Sequence, residues 1–203
     1  MEHIQIVKGH PASDAGGKLN SMALDYMAYP LVGSTEKSLI EQTLGDLWGK
    51  SANRFSHQYA FEAKLKDKTI GMITCYPVPV MNKLAWPTMR QLIQLRKWSL
   101  IRHSLQNLKA VFSMISLNEG RAGEYHIGTL ATLPESRGYG VGSRLIQFAE
   151  EQARRGGYGK CSLTVKKDNN QARKLYERLG YTIADSIEKP PYSLYRMVKS
   201  LEP

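Results

Sequence analysis

The chain has 203 residues, of which 42% are hydrophobic and 23% charged, the composition of a globular domain rather than of a disordered or fibrous protein. Without an apolar run of roughly 20 residues, the sequence offers no membrane-spanning helix. Its two cysteines fit no metal or redox spacing, and with no signal peptide at Met1–Val7 we expect a soluble, cytoplasmic protein.

The net charge of +10 predicts attraction to anions such as nucleic acid, acidic proteins, lipid headgroups or a phosphorylated cofactor. The excess is partly regional, because no acidic residue lies between Asp67 and Glu119 while seven lysines and arginines do. No recognised DNA- or RNA-binding motif accompanies this charge, so we expect no specific nucleic-acid partner.

The N-terminal quarter of the chain predicts a strand and two helices. Apolar and polar residues alternate over His3–Lys8, and the glycine pair Gly16–Gly17 belongs to the turn region that ends this strand. Apolar residues at helical spacing then predict helices over Leu19–Tyr29 and Ser38–Trp48.

A hairpin and a basic segment follow. Gln58–Leu65 and Thr69–Tyr76 are predicted strands, joined by a turn at Lys66–Asp67–Lys68. Regular structure is then expected to break at three prolines, Pro77, Pro79 and Pro87.

Met89–Ile115 predicts one or two basic amphipathic helices. Such a helix either packs on the domain with its cations in water or binds a membrane surface or a partner. The surrounding Val80–Gly123 segment is a candidate lid over a binding pocket, and a dimer interface explains it equally well. We expect residues 1–203 to form one domain with a basic helical insertion at about residues 80–122.

The C-terminal part alternates strands and helices, which is typical of an α/β fold. Tyr125–Leu133 predicts a strand that leads through a glycine-rich turn into a helix stopped by Gly156–Gly157. A buried strand around Cys161–Val165 precedes a second helix, for which Asp168 is the expected cap. Two short strands, Tyr181–Ala184 and Tyr192–Val198, end the chain.

The glycine-rich turn has the properties of an anion site. Gly138, Gly140 and Gly142 allow positive φ angles and close approach of a ligand, and the next helix directs free N–H groups and its positive dipole end toward that ligand. The turn suits a pyrophosphate, although a glycine turn without a ligand has the same pattern. It is not a dinucleotide fingerprint, because Ser143 stands where the third glycine is required.

Two motifs resemble the GNAT superfamily of acyl-CoA N-acyltransferases. Arg137-Gly-Tyr-Gly-Val-Gly142 matches its acyl-CoA loop, R/Q-x-x-G-x-G/A, and Asn169-x-x-Ala-x-x-Leu-Tyr-Glu-x-x-Gly-Tyr181 resembles the signature that ends its core. Their order and their separation of about 30 residues make the pair more specific than either motif. The resemblance is close over Glu124–Ala184.

The resemblance implies a mixed, mostly antiparallel α/β sheet with a V-shaped splay, flanked by helices, and acetyl-CoA as cosubstrate without a metal. In this family the strand before the turn pairs with the pantetheine arm and the turn holds the pyrophosphate. The implied cofactor-binding residues are Leu130, Ala131, Thr132, Arg137, Gly138, Tyr139, Gly140, Val141, Gly142, Ser143, Asn169 and Tyr176.

The resemblance also implies an acid for the chemistry. Tyr176 stands where the family often has the group that protonates the departing thiolate, although its spacing also suits a core aromatic residue. The base is open among His126, Glu124 and ordered water, and a strand bulge would change the faces that these side chains occupy.

The function implied is transfer of an acetyl group from acetyl-CoA to a primary amine, by direct attack in a ternary complex. The acceptor is a small molecule or a peptide, and a homodimer is compatible with the sequence. The alternative is a CoA-binding or regulatory module without catalysis.

Overall fold

The computed structural model describes residues 4–106, 113, 117 and 119–201. Within these residues the chain forms one seven-stranded sheet in the order β1-β2-β3-β4-β5-β7-β6. The strands are β1 (Ile4–Lys8), β2 (Ala60–Leu65), β3 (Lys68–Pro77), β4 (Tyr125–Thr132), β5 (Lys160–Lys166), β6 (Thr182–Lys189) and β7 (Tyr192–Ser200). The helices are α1 (Ala15–Leu24), α2 (Ala28–Val32), α3 (Lys37–Gly49), α4 (Val78–Gln106), α5 (Val141–Arg155) and α6 (Asn170–Arg178).

The sheet is mixed and mostly antiparallel, as predicted. Strands β4 and β5 are parallel, and they pair only where Tyr125–Ile127 faces Cys161–Leu163. Beyond that point β4 continues along β3 while β5 continues along β7. The two strands therefore diverge and leave an open gap in the middle of the sheet.

Helices cover both faces of the sheet. Helices α5 and α6 pack on one face, where Ile127, Leu145 and Leu163 belong to the largest buried cluster. Helices α1 and α3 cover the other face, where Leu19 and Trp48 are buried against the strands. An amphipathic helix buries its apolar face against such a surface, and the apolar positions predicted from the sequence form that face.

The prediction for Gly16–Gly17 was wrong, because both glycines lie inside α1. A Cβ on Gly16 would stand 2.3 Å from the ring of Trp48, and one on Gly17 would stand 2.3 Å from the carbonyl oxygen of Glu41. The glycines let α1 cross α3 in close contact. The helix expected over Leu19–Tyr29 is divided, since α1 ends at Leu24 and a 3₁₀ turn leads into α2.

The proline prediction was also wrong in part. Pro77 ends β3, but Pro79 lies in the first turn of α4, where a proline removes no helical hydrogen bond, and Pro87 lies within α4. The backbone leaves the helical region at Lys97 (φ 48°, ψ −130°), which divides α4 into two segments. The rest of the helix expected up to Ile115 falls largely outside the described residues.

Helix α4 packs on α2 and α3 through Leu92 and Leu100, which are buried. None of the helices in the described ranges is both long and apolar enough to cross a membrane.

Candidate active site

The gap between β4 and β5 exposes polar backbone groups of β4. The N–H of Leu133 donates to the carbonyl oxygen of Ile70 on β3 at 2.8 Å. Backbone N–H and C=O groups alternate in direction along an antiparallel strand. Those of Ala131 therefore also point toward β3, whereas those of Leu130 and Thr132 point into the gap. An extended ligand with amide groups can pair with such an edge.

A β-bulge at Gly128 marks the start of this gap. Thr129 pairs with Thr74, but Ile127 pairs with Cys75, so Gly128 is an extra residue in β4. A Cβ at this position would stand 2.3 Å from the hydroxyl oxygen of Tyr76, which explains the glycine.

The bulge reverses the alternation of side chains along β4. Ile127 and Leu130 both lie on the face covered by α5, while His126 and Ala131 lie on the face of α1 and α3. The strand bulge considered from the sequence is therefore present. Thr129 follows His126 on the second face, where its hydroxyl contacts that of Thr74 at 2.7 Å.

The glycine turn follows the end of β4 and has the form expected of an anion site. Gly138 and Gly140 have φ angles of 84° and 67°, and a Cβ on either would meet open space. Among the described residues, no carbonyl accepts a hydrogen bond from the amides of Gly138, Gly140 or the first helical residues Val141, Gly142 and Ser143.

Cations surround this turn. Arg137 lies in it, Arg144 lies in the first turn of α5, and both side chains are exposed, as is Tyr139. The N-terminal end of a helix carries partial positive charge, so cations next to it are unfavourable. An anion bound there would neutralise the cations and accept hydrogen bonds from the free amides.

Asn169 is the cap of α6, a role that the sequence analysis gave to Asp168. Its side-chain oxygen accepts a hydrogen bond from the N–H of Ala172 at 3.0 Å, and the residue is exposed. The other end of the amide, its NH₂ group, has no such role in the cap.

Tyr176 is buried on the α6 side of the sheet. Its ring lies edge-on to that of Tyr181, with 6.2 Å between the ring centroids, and burial raises the pKa of its hydroxyl to about 12. The residue contributes to the core, as its helical spacing allowed, and its hydroxyl is protonated at neutral pH.

Glu124 forms a buried ion pair with Arg196 of β7. Its second oxygen accepts a hydrogen bond from the N–H of Arg121 at 2.9 Å. Burial alone would raise the pKa of Glu124, but the hydrogen bonds from Arg196, Arg121 and Ser162 outweigh it and hold the pKa below its usual value. The carboxylate is therefore ionised and already hydrogen-bonded.

His126 is completely buried beside this pair. Its Nδ1 lies 3.1 Å from the hydroxyl of Ser162, while no described protein group forms a hydrogen bond with its Nε2. Burial lowers the pKa of the imidazole below its usual value, so His126 is neutral at pH 7.

A cavity of about 490 Å³ opens on the α1 side of β4, next to the bulge. Gly128 and Thr129 form its floor at the strand, and neither Glu124 nor His126 lines it. The polar side chains that do are those of Arg54, Tyr76, Thr88, Glu119 and Thr129. The remaining walls are apolar and come from α1, α2, α4 and the segments next to them.

Sequence reasoning missed the ion pair of this cavity. Arg54 and Glu119 are 65 positions apart, and their side chains meet at 3.2 Å. A signal for Glu119 exists, since it is the first acidic residue after the long acid-free stretch, but nothing local to Arg54 distinguishes it from the many other cations.

Comparison with known proteins agrees with this architecture. The family described as "Acetyltransferase (GNAT) family" matches residues 26–181 of the chain. The 5-NmdU N-acetyltransferase of Pseudomonas phage PaMx11 is 34% identical over 64 residues. That alignment covers 32% of the chain and 44% of the relative, so it spans less than half of the phage protein.

Two crystal structures share the fold over almost their whole length. A protein described as an acetyltransferase has a TM-score of 0.72 and 18% identity, with 98% of this chain and 100% of its own covered. An N-acetyltransferase from Staphylococcus aureus Mu50 has a TM-score of 0.72 and 21% identity, with 96% and 99% covered. At these identities the likeness concerns the fold.

Proposed function

Because the chain belongs to the acetyltransferase (GNAT) family, we propose that it transfers the acetyl group of acetyl-CoA to a primary amine by direct attack in a ternary complex. The acceptor is a small molecule or a peptide. We also propose a cytoplasmic location, for which the two free, buried cysteines Cys75 and Cys161 are support.

One observation carries the proposal for the cofactor: two features that suit acetyl-CoA lie next to each other on β4. The edge at Leu130 and Thr132 can pair with the amides of the pantetheine arm, and the amides of Gly138–Ser143 can bind the pyrophosphate. Arg137 adds a charged donor for the phosphates, and the NH₂ group of Asn169 a donor for the arm.

The chemistry requires three events. The neutral amine nitrogen forms a bond with the thioester carbonyl carbon, the resulting oxyanion collapses as the C–S bond breaks to leave CoA as a thiolate, and the nitrogen loses its extra proton to water. Backbone N–H groups of β4 at the gap are the proposed donors to the oxyanion. Tyr176, whose hydroxyl keeps its proton at neutral pH, is the proposed acid that protonates the sulfur.

The ammonium form of the acceptor must lose a proton before attack. His126 is the proposed base, because its imidazole is neutral at pH 7 and its Nε2 is free of described protein partners. It does not line the cavity, so the proton reaches it through water. The carboxylates of Glu119 and Glu124 favour the imidazolium that forms.

Release of free thiol from acetyl-CoA in the presence of amines tests the proposal. The panel should contain peptides, small amines and 5-NmdU, the compound in the phage relative's name. Transfer to any of them, with acetylated product identified by mass, is the expected result. Cofactor binding without turnover on the whole panel would instead favour the alternative, a CoA-binding module without catalysis.

Tyr176→Phe separates binding from chemistry in the same assay. The variant keeps the buried ring and loses the proton donor, so kcat should fall by about 10²-fold or more while the affinity for acetyl-CoA is retained. An unchanged kcat would remove Tyr176 from the mechanism without affecting the proposed reaction.

A further inference from the structure

The cavity beside the β4 bulge identifies the class of acceptor. Resting on the proposed acetyl transfer, we infer that the acceptor is a primary amine with an apolar body, and that Glu119 binds its ammonium group at the inner end of this cavity. Arg54 is a positioning residue for the Glu119 carboxylate.

The walls of the cavity are complementary to an apolar body. Leu24, Met27 and Leu31 lie on the α1–α2 side, and Trp86, Met89 and Leu92 lie on α4. A volume of about 490 Å³ is within the range of sites for small organic ligands. Each methylene group that leaves water for such walls should improve affinity by about fourfold.

Glu119 is the only carboxylate among the described residues that line this cavity. Its Oε1 accepts a hydrogen bond from Arg54 at 3.2 Å, and the side chain remains 22% exposed, so the carboxylate can accept further donors. An ammonium group is a compact cation with several hydrogen-bond donors, and it can donate to the carboxylate positions that Arg54 leaves unused.

The orientation of Glu119 is fixed from behind. The Nε of Arg54 donates to the carbonyl oxygen of Met81 in α4 at 3.2 Å, which leaves Nη1 to hold the carboxylate. The carboxylate therefore stays at the cavity instead of turning to solvent.

The inner end of the cavity meets the proposed cofactor site. Gly128 and Thr129 line the cavity, and the next residues of β4 face the gap where the pantetheine arm is proposed to pair. An amine in this cavity is therefore bounded by the same strand that is proposed to pair with the cofactor. The mouth of the cavity is at Trp86, which is 72% exposed and leaves room for the far end of the acceptor.

Calorimetric titration with straight-chain primary amines, from butylamine to octylamine, tests this inference. Run with and without CoA, it needs no turnover. Affinity should increase about fourfold per methylene until the cavity is full. The alcohol of the same length should bind more weakly, and spermidine should not bind, because its further charges would meet apolar walls.

Glu119→Gln isolates the role of the charge. Affinity for octylamine should fall at least about tenfold, as expected when one charge-assisted hydrogen bond is lost, while affinity for octanol stays the same. Glu135→Gln is the matched control, because it removes a carboxylate that is also paired with a cation, Lys68 at 3.3 Å, but lies outside this cavity. It should bind both ligands like the wild type.

A second variant covers the case in which Glu119→Gln does not fold. Trp86→Ala removes an exposed side chain at the mouth, so it should fold normally, weaken octylamine binding and leave butylamine binding unchanged. Affinity independent of chain length, equal binding of octylamine by Glu119→Gln, or tight binding of spermidine would each overturn the inference. Binding as predicted without acetyl transfer would contradict the proposed function alone.

Discussion

At the scale of single residues, His126 shows how the fold controls a titratable group. It is completely buried next to Ser162, and the charges of two ion pairs, Arg54–Glu119 and Glu124–Arg196, act on its imidazole. A buried imidazole resists protonation because the charged form loses its hydration.

Stability should decrease as the pH falls below about 6.5, the ordinary pKa of histidine. In that range the unfolded chain takes up a proton at His126 that the folded state does not, so the contribution of this group is present above pH 6.5 and lost below it. His126→Gln should flatten the dependence of the free energy of unfolding on pH between about 5 and 6.5, measured by urea denaturation.

Ser162→Ala is the control for this experiment, because it removes the hydroxyl next to Nδ1 and keeps the histidine. It should retain the slope. Glu124 does not interfere, because the stability that its lowered pKa contributes is lost only when the pH falls below the ordinary value of 4.5. If His126→Gln keeps the full slope, the imidazole does not have the lowered pKa described here.

At the scale of elements, the two ends of α5 provide a matched pair of glycines. Gly140 at its start and Gly157 just after its end have φ angles of 67° and 75°, and a Cβ on either would meet open space. Alanine at either position should therefore cost a similar amount of stability, about 1 to 2 kcal/mol for a left-handed conformation. Thermal or chemical denaturation measures this cost.

Cofactor affinity should distinguish the two variants. Gly140→Ala should weaken acetyl-CoA binding by about tenfold or more, because the methyl group keeps the phosphate from the free amides of the turn. Gly157→Ala should bind like the wild type, since it lies at the other end of the helix. Equal affinities in calorimetry would show that the phosphates bind elsewhere.

Asn169 at the start of α6 allows a similar separation of roles. Asn169→Ala should lower the free energy of unfolding by about 1 kcal/mol because the hydrogen bond to Ala172 is lost. Asn169→Asp keeps an accepting oxygen and should be as stable as the wild type. It should nevertheless bind acetyl-CoA more weakly, because the proposed NH₂ donor is gone and a negative charge replaces it.

Urea denaturation and calorimetry on the same samples check both statements. Full affinity in Asn169→Asp would reduce the residue to a helix cap.

The elements differ in how far the sequence predicts them. The hairpin of β2 and β3, the glycine turn and α5 depend on local chemistry, and the structure has them close to the predicted positions. Gly16 and Gly17 misled the prediction because their reason is tertiary, namely the approach of Trp48. Pro87 likewise did not end α4, which packs on α2 and α3 through Leu92 and Leu100, beyond that proline.

The candidate site divides in the same way. The glycine turn is contiguous in sequence, so its position was predictable, while its role as an anion site stays a prediction. The Arg54–Glu119 pair joins segments on either side of β3 and α4, and only the folded chain brings them together. The need for glycine at position 128 was equally unpredictable, because it depends on Tyr76 of the neighbouring strand.

At the scale of the whole molecule, the sheet consists of two halves that share few strand-pairing hydrogen bonds. Strands β1 to β4 form one half and β5 to β7 the other, joined through the short pairing of Tyr125–Ile127 with Cys161–Leu163. A ligand in the gap should tie the halves together. Acetyl-CoA at 100 times its Kd should add about 2.7 kcal/mol to the free energy of unfolding.

Hydrogen exchange measures the effect of the cofactor on single backbone amides of β4. Acetyl-CoA should slow exchange of the amides of Leu130 and Thr132, which face the gap and gain partners only from the cofactor. The amide of Ala131 already faces β3, so its exchange should change only by the global stabilisation. An alternating pattern along one strand cannot come from uniform tightening of the fold. Equal protection of all three amides would mean that the cofactor does not pair with β4.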